Sequence, residues 1–525
     1  MKYNNIFIEL LVLIVFFSSC NKNPDGNSNS IDENKEETKI ITLNIDETKI
    51  YQTIEHFGAS DAWSSQFVGN WPVEKKEAIA DLLFSQDFDE AGNPKGIALS
   101  LWRFNVGAGS AEQGPESGIS DEWRRAESFL QDNGEYNWGK QQGQVWFAKA
   151  AKARGVNYLL LFLNSPPVSL TRNGKAFANE GGQSNLESKN YNEFVAFMAK
   201  VIDGLQKKGL PVDYISPVNE PQWDWSDGGQ EGTPFYNNEI AEIVRVLNKE
   251  LDERNLSTII DVAEAGQINY LYENGNKQGK SNQIKEFFIE SSTNYIGNLS
   301  HVGKSISGHS YFTTSPFSNS IEKRERLASA IEEAPELKFW MSEYCILGDN
   351  HGEMNGNGKD LGIDPALYIA RVIHSDLAVA QASAWHWWLA LSPYDYKDGL
   401  IYIDYQKEDG NYHESKMLWA LGNYSRFIRP GFQRISIENP DQKSIDKNFL
   451  FSGFINPVSG EQVFVIVNSG IEKINLQLEF QKDHPVSMKS YTTSSEKNME
   501  SQKLANNRPI AVPARSIVTI TTQNH

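Results

Sequence analysis

Cysteine is almost missing: the 525 residues contain two, Cys20 and Cys345. No disulfide framework can brace such a chain, so its folded part must be held by core packing, which 39% hydrophobic residues can supply. Positive charge is also short, with 49 Lys+Arg against 68 Asp+Glu and a net charge of −19. No basic stripe with interleaved aromatics occurs, which argues against nucleic acid as a partner and leaves a neutral ligand such as a polysaccharide compatible. The nine histidines are scattered without metal-ligand spacing, so neither a metal nor another cofactor is expected. Gly107-Ala-Gly109 lacks the third glycine of a dinucleotide-binding turn. No repeat of 20 to 50 residues is present. The N-terminal apolar run Ile6 to Phe17, 12 residues, is too short to span a bilayer.

That run follows Lys2 and leads through Ser18-Ser19 to Cys20, the order of a bacterial lipoprotein signal cleaved before an acylated cysteine. Residues 1–20 are therefore read as the signal and Cys20 as the lipidation site. The expected location is a bacterial outer membrane or cell surface, with plain secretion or a periplasmic location as the alternative. Residues 21–39 are polar and poor in apolar side chains, and are read as a flexible tether. With Cys20 lipidated, Cys345 is left alone and is read as a buried structural thiol rather than a nucleophile.

Beyond the tether, apolar β-type runs alternate with helix-like stretches. Strands are predicted at 54–59, 97–106, 158–163, 214–218, 259–263, 305–311, 338–342 and 382–391, and amphipathic helices at 145–154, 191–208, 237–254 and 321–333. Eight continuous apolar strands alternating with helices specify an α/β fold, a closed (β/α)8 TIM barrel, over 54–430. From 431 to 525 shorter β runs (450–455, 462–467, 474–480, 516–521) separated by turn signals predict a small all-β sandwich. Residues 40–53 are expected to add an N-terminal strand to it.

Two of the barrel strands end on a glutamate. Tyr214-Ile-Ser-Pro-Val-Asn-Glu-Pro221 delivers Glu220, and Lys338-Phe-Trp-Met-Ser-Glu-Tyr344 delivers Glu343. Either motif alone has a plain structural explanation, a capped helix start or a salt-bridged strand end. Together they fall where a barrel keeps its functional groups, along with Asp61 and Trp63, Arg103 and Asn105, Asn164, Asn219, His309 and Tyr311, and Trp385 and Trp387. Trp223 and Trp225, in the loop after Glu220, are read as platforms for a leaving-group sugar. The segment 349–360 has calcium-loop-like residues without the matching spacing, and is read as a mobile rim loop. Paired carboxylates of this kind suit glycoside hydrolysis.

The order Phe57-Gly-Ala59, Leu101-Trp-Arg-Phe-Asn-Val-Gly107, Asn164-Ser-Pro-Pro167, Ser216-Pro-Val-Asn-Glu-Pro221, Met341-Ser-Glu-Tyr344, Trp387-Trp-Leu-Ala-Leu391 and Arg426-Phe-Ile-Arg-Pro-Gly431 resembles glycoside hydrolase family 30. The resemblance implies Glu220 as acid/base, Glu343 as nucleophile, and Arg103, Asn219, Tyr311 and Trp387 as residues that hold the sugar or orient the nucleophile. His56 departs from it, standing where a glycine commonly precedes Phe-Gly. The implied activity is a retaining β-glycosidase on an extracellular oligo- or polysaccharide, nearest to the endo-β-1,6-galactanase branch. β-1,6-Glucanase, glucosylceramidase-like and xylanase specificities are alternatives, and a catalytically inactive, lipid-anchored glycan-binding protein is an alternative of another class. A monomer is expected.

Overall fold

A computed structural model describes residues 40–481, 485–505 and 508–523; the signal, the tether and Cys20 lie outside them. After strand β1 (Ile40–Thr53), eight parallel strands follow: β2 (His56–Ser60), β3 (Leu101–Asn105), β4 (Tyr158–Phe162), β5 (Tyr214–Ser216), β6 (Ile259–Ala265), β7 (Val302–His309), β8 (Lys338–Tyr344) and β9 (Ala384–Ser392). Each pairs with the next, and β9 pairs with both β8 and β2, which closes the barrel. Closure buries both faces of the strands over most of their length, and for that reason most of these runs are apolar on both sides. The predicted helices are present at 142–153, 191–207, 237–254 and 317–332. Among the described residues three further α-helices of ten residues or more, Val73–Phe84, Ile363–Ala378 and Lys416–Ser425, lie outside the predicted set, as do three shorter ones. Among the described residues no helix is long and apolar enough to cross a membrane.

Strands β10 (Gly399–Ile403) and β11 (Tyr412–Glu414) extend the barrel sheet beside β9. The all-β unit joins β1 to β12 (Gln433–Glu438) and to the later strands β13 (Phe449–Ile455), β14 (Gln462–Asn468), β15 (Ile474–Phe480), β16 (Ser487–Thr493), β17 (Glu500–Leu504), β18 (Ile510–Val512) and β19 (Ser516–Gln523). β1 runs antiparallel to β12 and parallel to β15, so the N-terminal strand sits inside this sheet. β14 reads Gln-Val-Phe-Val-Ile-Val-Asn because it serves two cores. Phe464 and Ile466 face the sandwich interior, while Val463, Val465 and Val467 face the barrel core. The two units are also tied by Asn423, whose amide donates to Thr493 (2.6 Å) and whose backbone carbonyl accepts from Thr519 Oγ1 (2.7 Å).

Candidate active site

The C-terminal ends of β3, β5, β6, β7 and β8 bring five ionisable side chains into one buried cluster. Glu220 follows β5 at a positive φ of 45°, with its backbone N–H donating to the Glu264 carbonyl at 2.8 Å. Glu264, also at positive φ (49°), is the penultimate residue of β6. Two left-handed non-glycine residues held against each other at the strand ends are the kind of local strain that clusters at functional sites. A carboxylate oxygen of Glu220, one of Glu343 and a ring nitrogen of His309 all lie within 4.8 Å of one another.

The contacts form a chain. Arg103 donates from Nη1 to Glu343 Oε2 (2.9 Å) and from Nη2 to Glu264 Oε1 (3.1 Å). His309 lies with Nδ1 2.8 Å from Glu220 Oε1 and Nε2 2.8 Å from Glu264 Oε2. Tyr311 donates its hydroxyl to Glu343 Oε1 at 3.1 Å. Ser216 and Ser342 donate to Glu264 at 2.9 and 2.5 Å. Burial would push the Glu264 carboxyl up, but the Arg103 charge, His309 and Ser342 outweigh it and hold it down at about 2. For His309 burial works downward, yet the surrounding carboxylates Glu343, Glu220 and Glu264 raise it to about 10. The Glu220 carboxyl is raised by burial, with His309 opposing and Glu343 and Glu264 adding to the rise.

Beside the pair opens a cleft of about 490 Å³ lined by Asn219, Trp223, Trp225, Tyr311, Phe312 and Trp388 among others. Trp223 and Trp225, half-buried, both border it. Each indole rests against a glycine: a Cβ at Gly266 would come 2.5 Å from Trp223 Nε1, and one at Gly232 2.4 Å from Trp225 Cδ2. Trp385 and Trp387 are sealed off. Their indole N–H groups donate to Asp376 Oδ2 (2.9 Å) and to the Asp398 carbonyl (2.7 Å), and Trp388 is the indole of β9 that lines the cleft.

On the other side Trp63 packs edge-on to Trp388, ring centroids 5.4 Å apart. Asp61 accepts from the Asn105 backbone N–H (2.8 Å) and from Gln144 (3.1 Å), and burial raises its carboxyl to about 8. Both polar atoms of the Asn164 side chain, Asn219 Oδ1, Asn105 Nδ2 and Trp63 Nε1 are buried without a protein partner. Cys345 is fully buried, and burial raises its thiol well above the usual range. The polar groups of 349–360 are used within the protein: Asn350 accepts from Thr314 and Glu353 pairs with Arg371.

Glu264 was not singled out in the sequence, although Ile259-Ile-Asp-Val-Ala-Glu-Ala265 puts two carboxylates in an apolar run. The predicted strand ends at Ala263, one residue short of Glu264 and two short of the observed strand end. Phe312, Leu347 and Trp388 were also missed; nothing in their local pattern separates them from core residues.

The family model for O-glycosyl hydrolase family 30 matches residues 40–402. An endo-β-1,6-galactanase from Hypocrea rufa is 26% identical over 410 residues, covering 75% of this chain and 75% of that protein. A conserved exported protein from Bacteroides fragilis superposes with a TM-score of 0.85 at 34% identity, over 92% of this chain and 100% of that structure. The catalytic domain of the family 30 xylanase C from Talaromyces cellulolyticus shares the fold, with a TM-score of 0.67 at 21% identity over 92% of this chain and 100% of that one. The match covers the barrel and the paired carboxylates alike, and the chain belongs to glycoside hydrolase family 30, a family of O-glycosyl hydrolases acting on carbohydrate.

Proposed function

We propose that the protein is a retaining β-glycosidase that cleaves a β-1,6-linked galactan by double displacement, with Glu220 as acid/base and Glu343 as nucleophile. The observation that carries this reading is the approach of their carboxylate oxygens to within 4.8 Å. Retaining enzymes hold the two groups about 5–5.5 Å apart, whereas inverting ones leave about 6.5–9.5 Å for a water. Burial and the neighbouring carboxylates raise the Glu220 carboxyl, which favours the protonated form that the leaving oxygen needs, and Arg103 and Tyr311 hold Glu343 aimed at the sugar. In the first step Glu343 attacks the anomeric carbon while the glycosidic C–O bond breaks and its oxygen takes the Glu220 proton. In the second, Glu220 accepts a proton from water as that water attacks the same carbon and frees Glu343.

The unpartnered polar atoms of Asn164, Asn219, Asn105 and Trp63 fit sugar hydroxyls, since such groups reject an analogue that leaves them unpaired. Trp223 and Trp225 offer faces for sugars on the leaving side. The choice of galactan rests on the relationship to the Hypocrea rufa endo-β-1,6-galactanase. Lipid attachment at Cys20 would place the enzyme on a bacterial membrane, facing polymer outside the cell. The test is digestion of β-1,6-galactan, β-1,6-glucan and β-1,4-xylan, with the anomer of the first-formed product read by proton NMR. β-Anomeric products from galactan are expected; an α-anomer first product, or turnover confined to another glycan, overturns the corresponding half of the reading.

A further inference from the structure

The third carboxylate of the cluster, Glu264, takes no part in the two displacement steps, yet it is fully buried and bonded to both cations that serve them. A buried carboxylate with no task is costly, so its partners define what it does. Both ring nitrogens of His309 face carboxylate oxygens at 2.8 Å, Nδ1 on Glu220 Oε1 and Nε2 on Glu264 Oε2. If His309 carried one proton, Glu220 could turn its own acid proton inward, onto His309, where no substrate reaches. If His309 carries two, Oε1 of Glu220 can only accept, and the acid proton must sit on Oε2. No described residue hydrogen-bonds that oxygen, and Glu220 lines the cleft.

We propose that Glu264 is a positioning residue: by holding His309 doubly protonated it confines the acid proton of Glu220 to the cleft-facing oxygen, and by gripping Arg103 it aligns Glu343. The proposal rests on the reading of Glu220 as acid/base. Charge counting supports it. Before reaction Arg103 and His309 carry +2, Glu264 and Glu343 −2, and Glu220 is neutral. After glycosylation Glu343 is an uncharged ester and Glu220, its proton gone to the leaving oxygen, is an anion, so the sum is still zero. Without Glu264 the buried cluster would carry a surplus positive charge in both states.

The other titratable groups that face this cluster leave the count unchanged. Asp261, beside Glu264 on β6, shares Ser216 with it, and burial together with the Glu264 charge raises its carboxyl well above the usual range, toward the uncharged form. Tyr311 on the loop after β7 and Cys345 after β8 are raised well above their usual values by burial, and His386 on β9 is lowered well below its own, so all three are uncharged near neutral pH.

Histidine-selective 15N labelling of the whole enzyme reads the proposal directly, His309 being assigned by its absence from the spectrum of His309→Asn. Both ring nitrogens are expected to be protonated from about pH 5 to about 9, and Glu264→Gln to turn the ring neutral within that range. Kinetically, Glu264→Gln is expected to lose on the order of 10²-fold more kcat/KM on a glycoside with a poor leaving group than on a dinitrophenyl glycoside. Damage to Arg103 and Glu343 alone would lower both equally. A singly protonated His309 in the wild type at neutral pH overturns the proposal even if no variant folds, as does unchanged leaving-group dependence in folded Glu264→Gln. Full activity of Glu220→Gln on the poor leaving group would instead bring down the acid/base assignment, an outcome independent of the ring's protonation.

Discussion

Asp61 keeps a carboxyl group out of water, and its titration has a direction that can be checked. In the unfolded chain an aspartate ionises around pH 4, whereas burial holds Asp61 to about 8 in the fold. Its burial therefore costs stability progressively as pH rises between those values, and the cost levels off above the higher one. Asp61→Asn keeps an oxygen for the Asn105 N–H and Gln144, and is expected to raise the melting temperature more at pH 8 than at pH 5; equal gains at both would mean the carboxylate is already ionised in the fold. His309 runs the other way. Its raised value adds stability that is full below its ordinary pKa of 6.5 and fades as pH climbs through about 10. For catalysis, Glu343→Ala is expected to lose on the order of 10³-fold or more in turnover and to be partly restored by azide as an α-configured glycosyl azide, since azide enters the space the carboxylate vacated and displaces the β-linked leaving group from the opposite face with one inversion. Mass spectrometry and NMR of the azide adduct decide this. Cys345→Ser should leave activity near normal, because the buried thiol reaches no substrate.

At the level of elements, the site depends on how strands end. Gly266 directly follows β6 and Gly232 lies in the long loop after β5, and each leaves room for an indole that a methyl group would fill. Gly266→Ala and Gly232→Ala are expected to push Trp223 and Trp225 from the cleft wall, raising KM on long oligosaccharides several-fold while leaving kcat on a short aryl glycoside little changed. Equal losses on both substrates would point instead to collapse of the β5 loop. β9 shows why facing could not be read from the chain. Its register with β2 shifts after Ala59, so that Trp387 pairs with Ala59 but Leu389 with Ser60, and Trp388 is the extra residue. A bulge of this kind breaks the two-residue alternation of the strand, so a place on β9 does not by itself say which indole faces the cleft.

Across the whole molecule the barrel and the sandwich share a core, through Val463, Val465 and Val467 on one side and the helix 416–425 on the other. Truncation at residue 430 would bare those apolar faces and strip β1 of both neighbours, so an aggregated product without a cooperative melting transition is expected, judged by calorimetry and size exclusion. A soluble, active 40–430 fragment would show the sandwich to be dispensable. The eight-strand alternation was legible in the chain, because strands buried on both faces are largely apolar, and so was the placing of Glu220 and Glu343 at strand ends, because a carboxylate closing such a run is conspicuous. That Glu264 bridges Arg103 and His309, residues 161 and 45 positions away, emerged from the closed fold alone. Contacts of that span exist only once the barrel has closed in one register, and no local pattern encodes which strand ends then meet.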